Sequence, residues 1–205
     1  MATIDPKEVK RLRDATGAGM MDCKQALVDT DGDFEKAKDL LRERGIASSK
    51  KYSERSAQEG VVESYLHKPD PGMPAKLGVL VELNCATDFV AKTERFMNLA
   101  RDIAMHISFA DPAFVAREDF PGDVLEREKE IYRKQAEGKP DNVVEKMVEG
   151  KLNAFFGSIP GGALLDQPYI RDDKKTVGQL LDEASAELKE PVRIRRFARF
   201  RVGGE

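Results

Sequence analysis

The chain has 205 residues, 40% of them hydrophobic, with 34 basic against 37 acidic side chains and a formal net charge of −3. At roughly 150 residues per domain that is one sizeable core plus a small module, and the apolar content excludes general disorder. The charge balance excludes a global attraction to nucleic-acid backbones, no apolar run approaches the ~20 residues a bilayer span needs, and two distant cysteines, Cys23 and Cys85, make neither a disulfide framework nor a CxxC zinc site.

The opening MATIDPKEVKRLRD lacks an apolar stretch, so the expectation is a cytoplasmic, reduced protein without a signal peptide. Asp5 then Pro6 reads as a cap and first residue of a helix running to about Ala15, with Val9 and Leu12 inward. Thr16-Gly17-Ala18-Gly19 reverses the chain, and a second helix follows over Met20–Asp29. Asp31-Gly32-Asp33 is another turn, with Asp33 capping a third helix over Phe34–Arg44 that Gly45 should stop. The polar stretch 48–56, SSKKYSERS, reads as a linker, either helical or irregular, placing a boundary between a three-helix module, 1–53, and a core, 54–205.

Residues 61–66 and 77–83 favour strands and form a hairpin across the turn-rich KPDPGMP, with His67 at its mouth. Phe96, Leu99, Ala100, Ile103, Ala104 and Ile107 recur at helical spacing, the mark of a helix packed on a sheet. Residues 123–137 are highly charged and predict a solvated helix; Pro140 and Asp141 open another, ending near Ser158–Gly162. Thr176 caps a last helix to about Leu188. From Val192 to Val202 strict alternation predicts an edge strand with one mainly apolar face, Val192, Ile194, Arg196, Ala198, Phe200 and Val202, and one rich in arginine. The order of elements is α+β, a small antiparallel sheet packed by helices after an all-helical start.

Catalytic chemistry is hard to assemble from these residues. There are two histidines, His67 and His106, and neither HExxH nor a phosphate loop. Gly17-Ala18-Gly19 follows a helix, where a dinucleotide fingerprint needs a strand. Cys85 has no local histidine to activate it and reads as a buried structural thiol. Five arginines in the tail form a local basic patch without an aromatic RNA-binding motif, so no direct nucleic-acid contact is expected. Two segments stand out instead. Met20 and Met21 cannot both face one core, so at least one should be exposed, as adaptable protein contacts are. In Thr87-Asp88-Phe89-Val90 an acid and an aromatic sit side by side where strand gives way to helix; on the residues alone, Thr87 or Asp88 serves as an N-cap and Phe89 as core.

Leu12-Arg13 with Thr16-Gly17-Ala18-Gly19-Met20-Met21-Asp22-Cys23-Lys24-Gln25-Ala26-Leu27 closely resembles the N-terminal signature of the elongation factor Ts family, as does Asn84-Cys85-Ala86-Thr87-Asp88-Phe89-Val90-Ala91-Lys92. Shorter stretches are similar too: Ile103–His106, Val144–Gly150 and Thr176–Leu181. The resemblance implies a guanine nucleotide exchange factor in translation elongation, not an enzyme, acting on the GTPase elongation factor Tu. It implies that the N-terminal module is ubiquitin-associated-like, that Arg13, Met20 and Met21 dock it on the GTPase, and that Thr87, Asp88, Phe89 and Val90 dislocate the partner's Mg2+. It implies no cofactor. Long members of the family carry two copies of the sheet-and-helix unit, whereas this chain shows one: Ser64-Tyr65-Leu66-His67 resembles the second copy and Asn84 to Val90 the first. Short members homodimerise, so a homodimer in a 2:2 assembly is expected, with His67 touching the later domains of the GTPase. The competing expectation is a non-catalytic adaptor built on a ubiquitin-associated-like module.

Overall fold

The computed structural model describes residues 4–16, 18–52, 55–70 and 72–203. Gly17 of the first reversal, Pro71 of the hairpin loop and the boundary at 53/54 lie outside them.

Three helices come first: α1 (Pro6–Thr16), α2 (Met20–Asp29) and α3 (Phe34–Tyr52). Asp5 caps α1 by accepting from the Lys7 amide at 2.9 Å, and Asp33 caps α3 by accepting from the Lys36 amide at 3.1 Å. Between α2 and α3 the chain turns through two positive-φ residues, Asp31 at 51° and Gly32 at 84°, a pairing that Asp and Gly tolerate best. Val9, Leu12, Cys23, Ala26, Leu27, Ala37 and Leu41 meet in one buried cluster among the three helices. One expectation fails here: α3 does not stop at Gly45 but continues to Tyr52. A glycine inside a helix costs only about 1 kcal/mol relative to alanine, and no proline follows to end the hydrogen-bond ladder.

The rest of the chain supplies β1 (Glu59–His67), β2 (Leu77–Cys85), α4 (Asp88–Ala91), α5 (Glu94–Ala110), α6 (Gly122–Gln135), α7 (Asp141–Phe156), β3 (Pro168–Tyr169), β4 (Asp172–Thr176), α8 (Val177–Leu188) and β5 (Arg193–Arg201). The fold is α+β. The main sheet has the order β1-β2-β5, and β3 pairs antiparallel with β4 in a small ribbon. The Val202 amide donates to the Lys76 carbonyl, and Glu82 meets Arg195 and Arg196, so β5 runs antiparallel to β2. Val79, Val81 and Leu83 turn inward from β2, and Phe96, Leu99, Ala100, Ile103, Ala104 and Ile107 are all buried on α5, at the spacing their periodicity predicts. Thr176 and Gln179 exchange side-chain bonds with each other's amides at 3.0 and 3.2 Å, a capping box that starts α8. The charged helix α6 buries none of its residues, as its composition predicts. Phe114, Phe120, Phe155 and Phe156 form a tilted and edge-on ring cluster near it, with centroids 4.6 to 5.6 Å apart.

The tail strand departs from strict alternation. Val192 and Ile194 are buried, yet Phe200 and Val202 are exposed, whereas Arg199 is nearly enclosed and paired with Asp111 at 2.9 Å. The phase changes at Arg195 and Arg196. Both face outward, and both reach the carboxylate of Glu82, at 3.0 and 2.7 Å. Beyond this pair the exposed positions up to Val202 are Phe200, Arg201 and Val202.

His106 lies fully buried on α5. Its Nδ1 accepts from the Ile170 amide at 3.3 Å, which leaves Nε2 to donate to Gln167 Oε1, also at 3.3 Å. Gln167 in turn donates to the Ser158 carbonyl at 2.9 Å. Burial holds the imidazole below its ordinary pKa. The unfolded chain takes up this proton near pH 6.5, while the folded chain resists until lower pH, so stability is fully present above that value and falls as pH drops through the window. Urea unfolding at pH 7.5, 6.5 and 5.5 should show the loss, at most about 1.4 kcal/mol per pH unit. His106→Gln should lower stability at pH 7.5 and flatten this part of the pH dependence; an unchanged slope would refute the assignment.

By backbone proximity the chain forms two compact units: Met1–Gly60 with Asn84–Ala91 and Leu181–Arg193, and Val61–Leu83 with Lys92–Leu180 and Ile194–Glu205.

Candidate functional site

The segment after β2 is built from its backbone outward. Thr87 opens α4: its Oγ1 accepts from the Val90 amide at 3.4 Å and its carbonyl accepts from the Ala91 amide at 3.2 Å. The Cys85 thiol donates to the same carbonyl at 3.2 Å. Cys85 is fully buried, and burial pushes its thiol above the ordinary pKa, so it is a structural group and not a nucleophile. Behind the turn stands a residue the sequence did not single out. Glu190 accepts from the amides of Ala86 and Thr87, each at 3.1 Å, and from the Thr87 hydroxyl at 2.6 Å.

On this anchored turn Asp88 and Val90 are half-buried, while Phe89 is 79% exposed. Phe89 is therefore not the core residue that its type alone suggests. A helix of four residues has no internal stability of its own, and the bonds of Thr87 and Glu190 are among the contacts that hold the turn bearing Phe89.

The other candidate residues lie on separate elements. Arg13 is exposed near the end of α1. Met20 and Met21 open α2 and are both exposed, Met21 to 71%, while Cys23, Ala26 and Leu27 on the same helix face inward. Arg13, Met20, Met21 and the Thr87–Val90 turn belong to one compact unit, and His67, the last residue of β1, belongs to the other. The His67 ring is held by Tyr65, whose hydroxyl lies 3.3 Å from Nδ1, with the ring centroids 6.2 Å apart. Among the described residues no cluster of three or more His, Cys, Asp or Glu is placed to hold a metal, and no helix is long and apolar enough to cross a membrane.

Glu190 had no local signal. It lies 103 residues beyond Thr87 in the chain, and its only sequence cue is a place just past the end of α8, before Pro191.

A family model described as Elongation factor TS matches residues 43–204. Elongation factor Ts of Frankia casuarinae is 53% identical over 204 residues, 98% of both chains. That of Caldanaerobacter subterraneus subsp. tengcongensis is 52% identical over 202 residues, 98% of this chain and 97% of the relative. That of Desulfosudis oleivorans is 49% identical over 205 residues, 99% of this chain and all of the relative. The motifs around Met20 and Phe89 thus sit in a chain that matches its relatives from end to end, and the chain belongs to the elongation factor Ts family of translation elongation factors.

Proposed function

We propose that this chain is a guanine nucleotide exchange factor for elongation factor Tu. It binds the GDP-bound GTPase, disturbs its Mg2+ site and promotes GDP release, and it makes or breaks no covalent bond. One observation carries the reading: Phe89 is an aromatic ring held almost wholly in solvent on an anchored turn. Such a ring is a wedge whose burial free energy is kept for a partner. Thr87, Asp88, Phe89 and Val90 form the intruding segment. Arg13, Met20 and Met21 dock the three-helix module, residues 1–53, on the GTPase, and residues 54–205 form the exchange core. His67 touches the later domains of the GTPase. The deciding experiment follows release of a fluorescent GDP analogue from purified elongation factor Tu. Acceleration at catalytic amounts of this chain supports exchange; binding without acceleration makes it an adaptor.

The functional assembly in this reading is a homodimer, with two chains serving two GTPases in a 2:2 complex. Its support is the outer face of the main sheet, where Val62, Leu66, Leu80 and Phe200 are all exposed. The Leu66 side chain lies over Gly78, where an added Cβ would meet it at 3.0 Å, so Leu66 shares a face with Leu80, two residues along β2 from Gly78. Contiguous exposed apolar side chains on a flat sheet mark an interface, and a second copy offers the same surface about a two-fold axis. Light scattering should give twice the chain mass for the native protein, and Leu80→Glu should give a folded monomer. A native monomer at micromolar concentration would rule the homodimer out.

A further inference from the structure

The turn that carries Phe89 is not self-supporting. Two backbone amides, Ala86 and Thr87, point at one oxygen of Glu190, and the Thr87 hydroxyl donates its proton to the other. With its O–H turned toward Glu190, Thr87 Oγ1 presents a lone pair to the Val90 amide and caps it. The two events are linked, because a hydroxyl has one proton and the carboxylate decides where it goes. Hydrogen bonds to a charged acceptor are also the stronger kind.

Glu190 is itself fixed from both sides. Lys189 adopts a left-handed backbone with φ of 57° that ends α8, a conformation lysine rarely takes. Pro191 disfavours a helical backbone at Glu190 itself. The Val192 amide then donates at 3.0 Å to the hydroxyl of Ser185, which is buried. The connection from α8 to β5 therefore presents one carboxylate in one place.

We propose that Glu190 is a positioning residue for nucleotide exchange. It touches neither nucleotide nor partner, and it sets the direction of Phe89 through Thr87. The proposal rests on the reading of Phe89 as the wedge. Phe89 contributes only when it is aimed at the partner's site, so loosening this turn should lower the maximal exchange rate, by no more than removing Phe89 does, and spare affinity.

The test measures GDP release against factor concentration for the full chain, separating the maximal rate from the half-saturating concentration. Glu190→Ala should lower the maximal rate about tenfold, within the effect of Phe89→Ala itself, with half-saturation nearly unchanged. Glu190→Asp, which keeps the charge but withdraws the oxygens by one methylene, should also be slow, and it serves in place of alanine if that variant does not fold. Glu190→Gln, whose oxygen still accepts from both amides but whose amide turns a donor toward Thr87 Oγ1 in place of an acceptor, should recover only part of the rate. In a Phe89→Ala background Glu190→Asp should slow the maximal rate no further. Several results would overturn the proposal: full speed for Glu190→Asp while Phe89→Ala is slow, a loss confined to half-saturation, or independent multiplication of the two effects. Full speed for Phe89→Ala itself would remove the wedge reading and this inference together.

Discussion

Phe89→Ala is expected to slow factor-promoted GDP release by about ten- to a hundredfold while the protein stays folded. The second half follows from exposure: a side chain 79% in solvent contributes little to the core, and such substitutions usually change stability by about 0.5 kcal/mol or less. The first half follows from what exchange requires. The factor and GDP weaken each other by the same factor, since coupling is reciprocal. A ~10⁴-fold shift takes about 5.5 kcal/mol of differential contact. Burying one phenylalanine supplies about 1.5–3 kcal/mol, so Phe89 contributes a large part but not the whole. Disturbance of the partner's Mg2+ site and docking by Arg13, Met20 and Met21 supply the rest in this mechanism. Stopped-flow release of a fluorescent GDP analogue, with thermal unfolding run alongside, reads both halves. An unchanged release rate sinks the wedge assignment, and a large drop in melting temperature returns Phe89 to a structural role.

What the sequence could reveal divides by range. Elements whose ends are marked by a cap were legible: Asp5, Asp33 and Thr176 each sit at the helix start that their side chains predict. Burial on α5 follows from spacing alone, including that of His106, which falls three residues after Ile103 on the same face. The end of α3 was not legible, because Gly45 is only a weak stop without a following proline. The outer face of β5 was misread for a definite reason. Burial changes phase at Arg195 and Arg196, consecutive exposed residues that both reach Glu82, and no residue type there announces it. The site divides the same way. The local motif from Thr87 to Val90 is visible in the sequence, whereas Glu190 reaches it through a long-range contact that no spacing rule can find.

Leu27→Ala and Met21→Ala, six residues apart on one helix, should separate folding from docking. Leu27 has no exposed surface and sits in the cluster with Leu12, Ala26 and Leu41. Removing its isobutyl group should cost about 2–5 kcal/mol, from lost burial and from the cavity left behind. A three-helix module of about fifty residues holds on the order of 2.5–7.5 kcal/mol, so this one change takes much or all of it. Met21 is 71% exposed and outside that cluster, so its truncation should leave stability within about 0.5 kcal/mol. The functional consequences reverse. Met21→Ala should weaken binding to nucleotide-free elongation factor Tu by about 1 kcal/mol or more, as truncation of a flexible apolar anchor does, with unchanged unfolding. Leu27→Ala should weaken binding only as the module unfolds, so its loss of affinity should grow with temperature in step with the loss of helix signal. Calorimetric titration and circular dichroism at 15 and 37 °C distinguish the two. Equal destabilisation by both variants would place Met21 in the core, and full affinity for Met21→Ala would remove it from the docking surface.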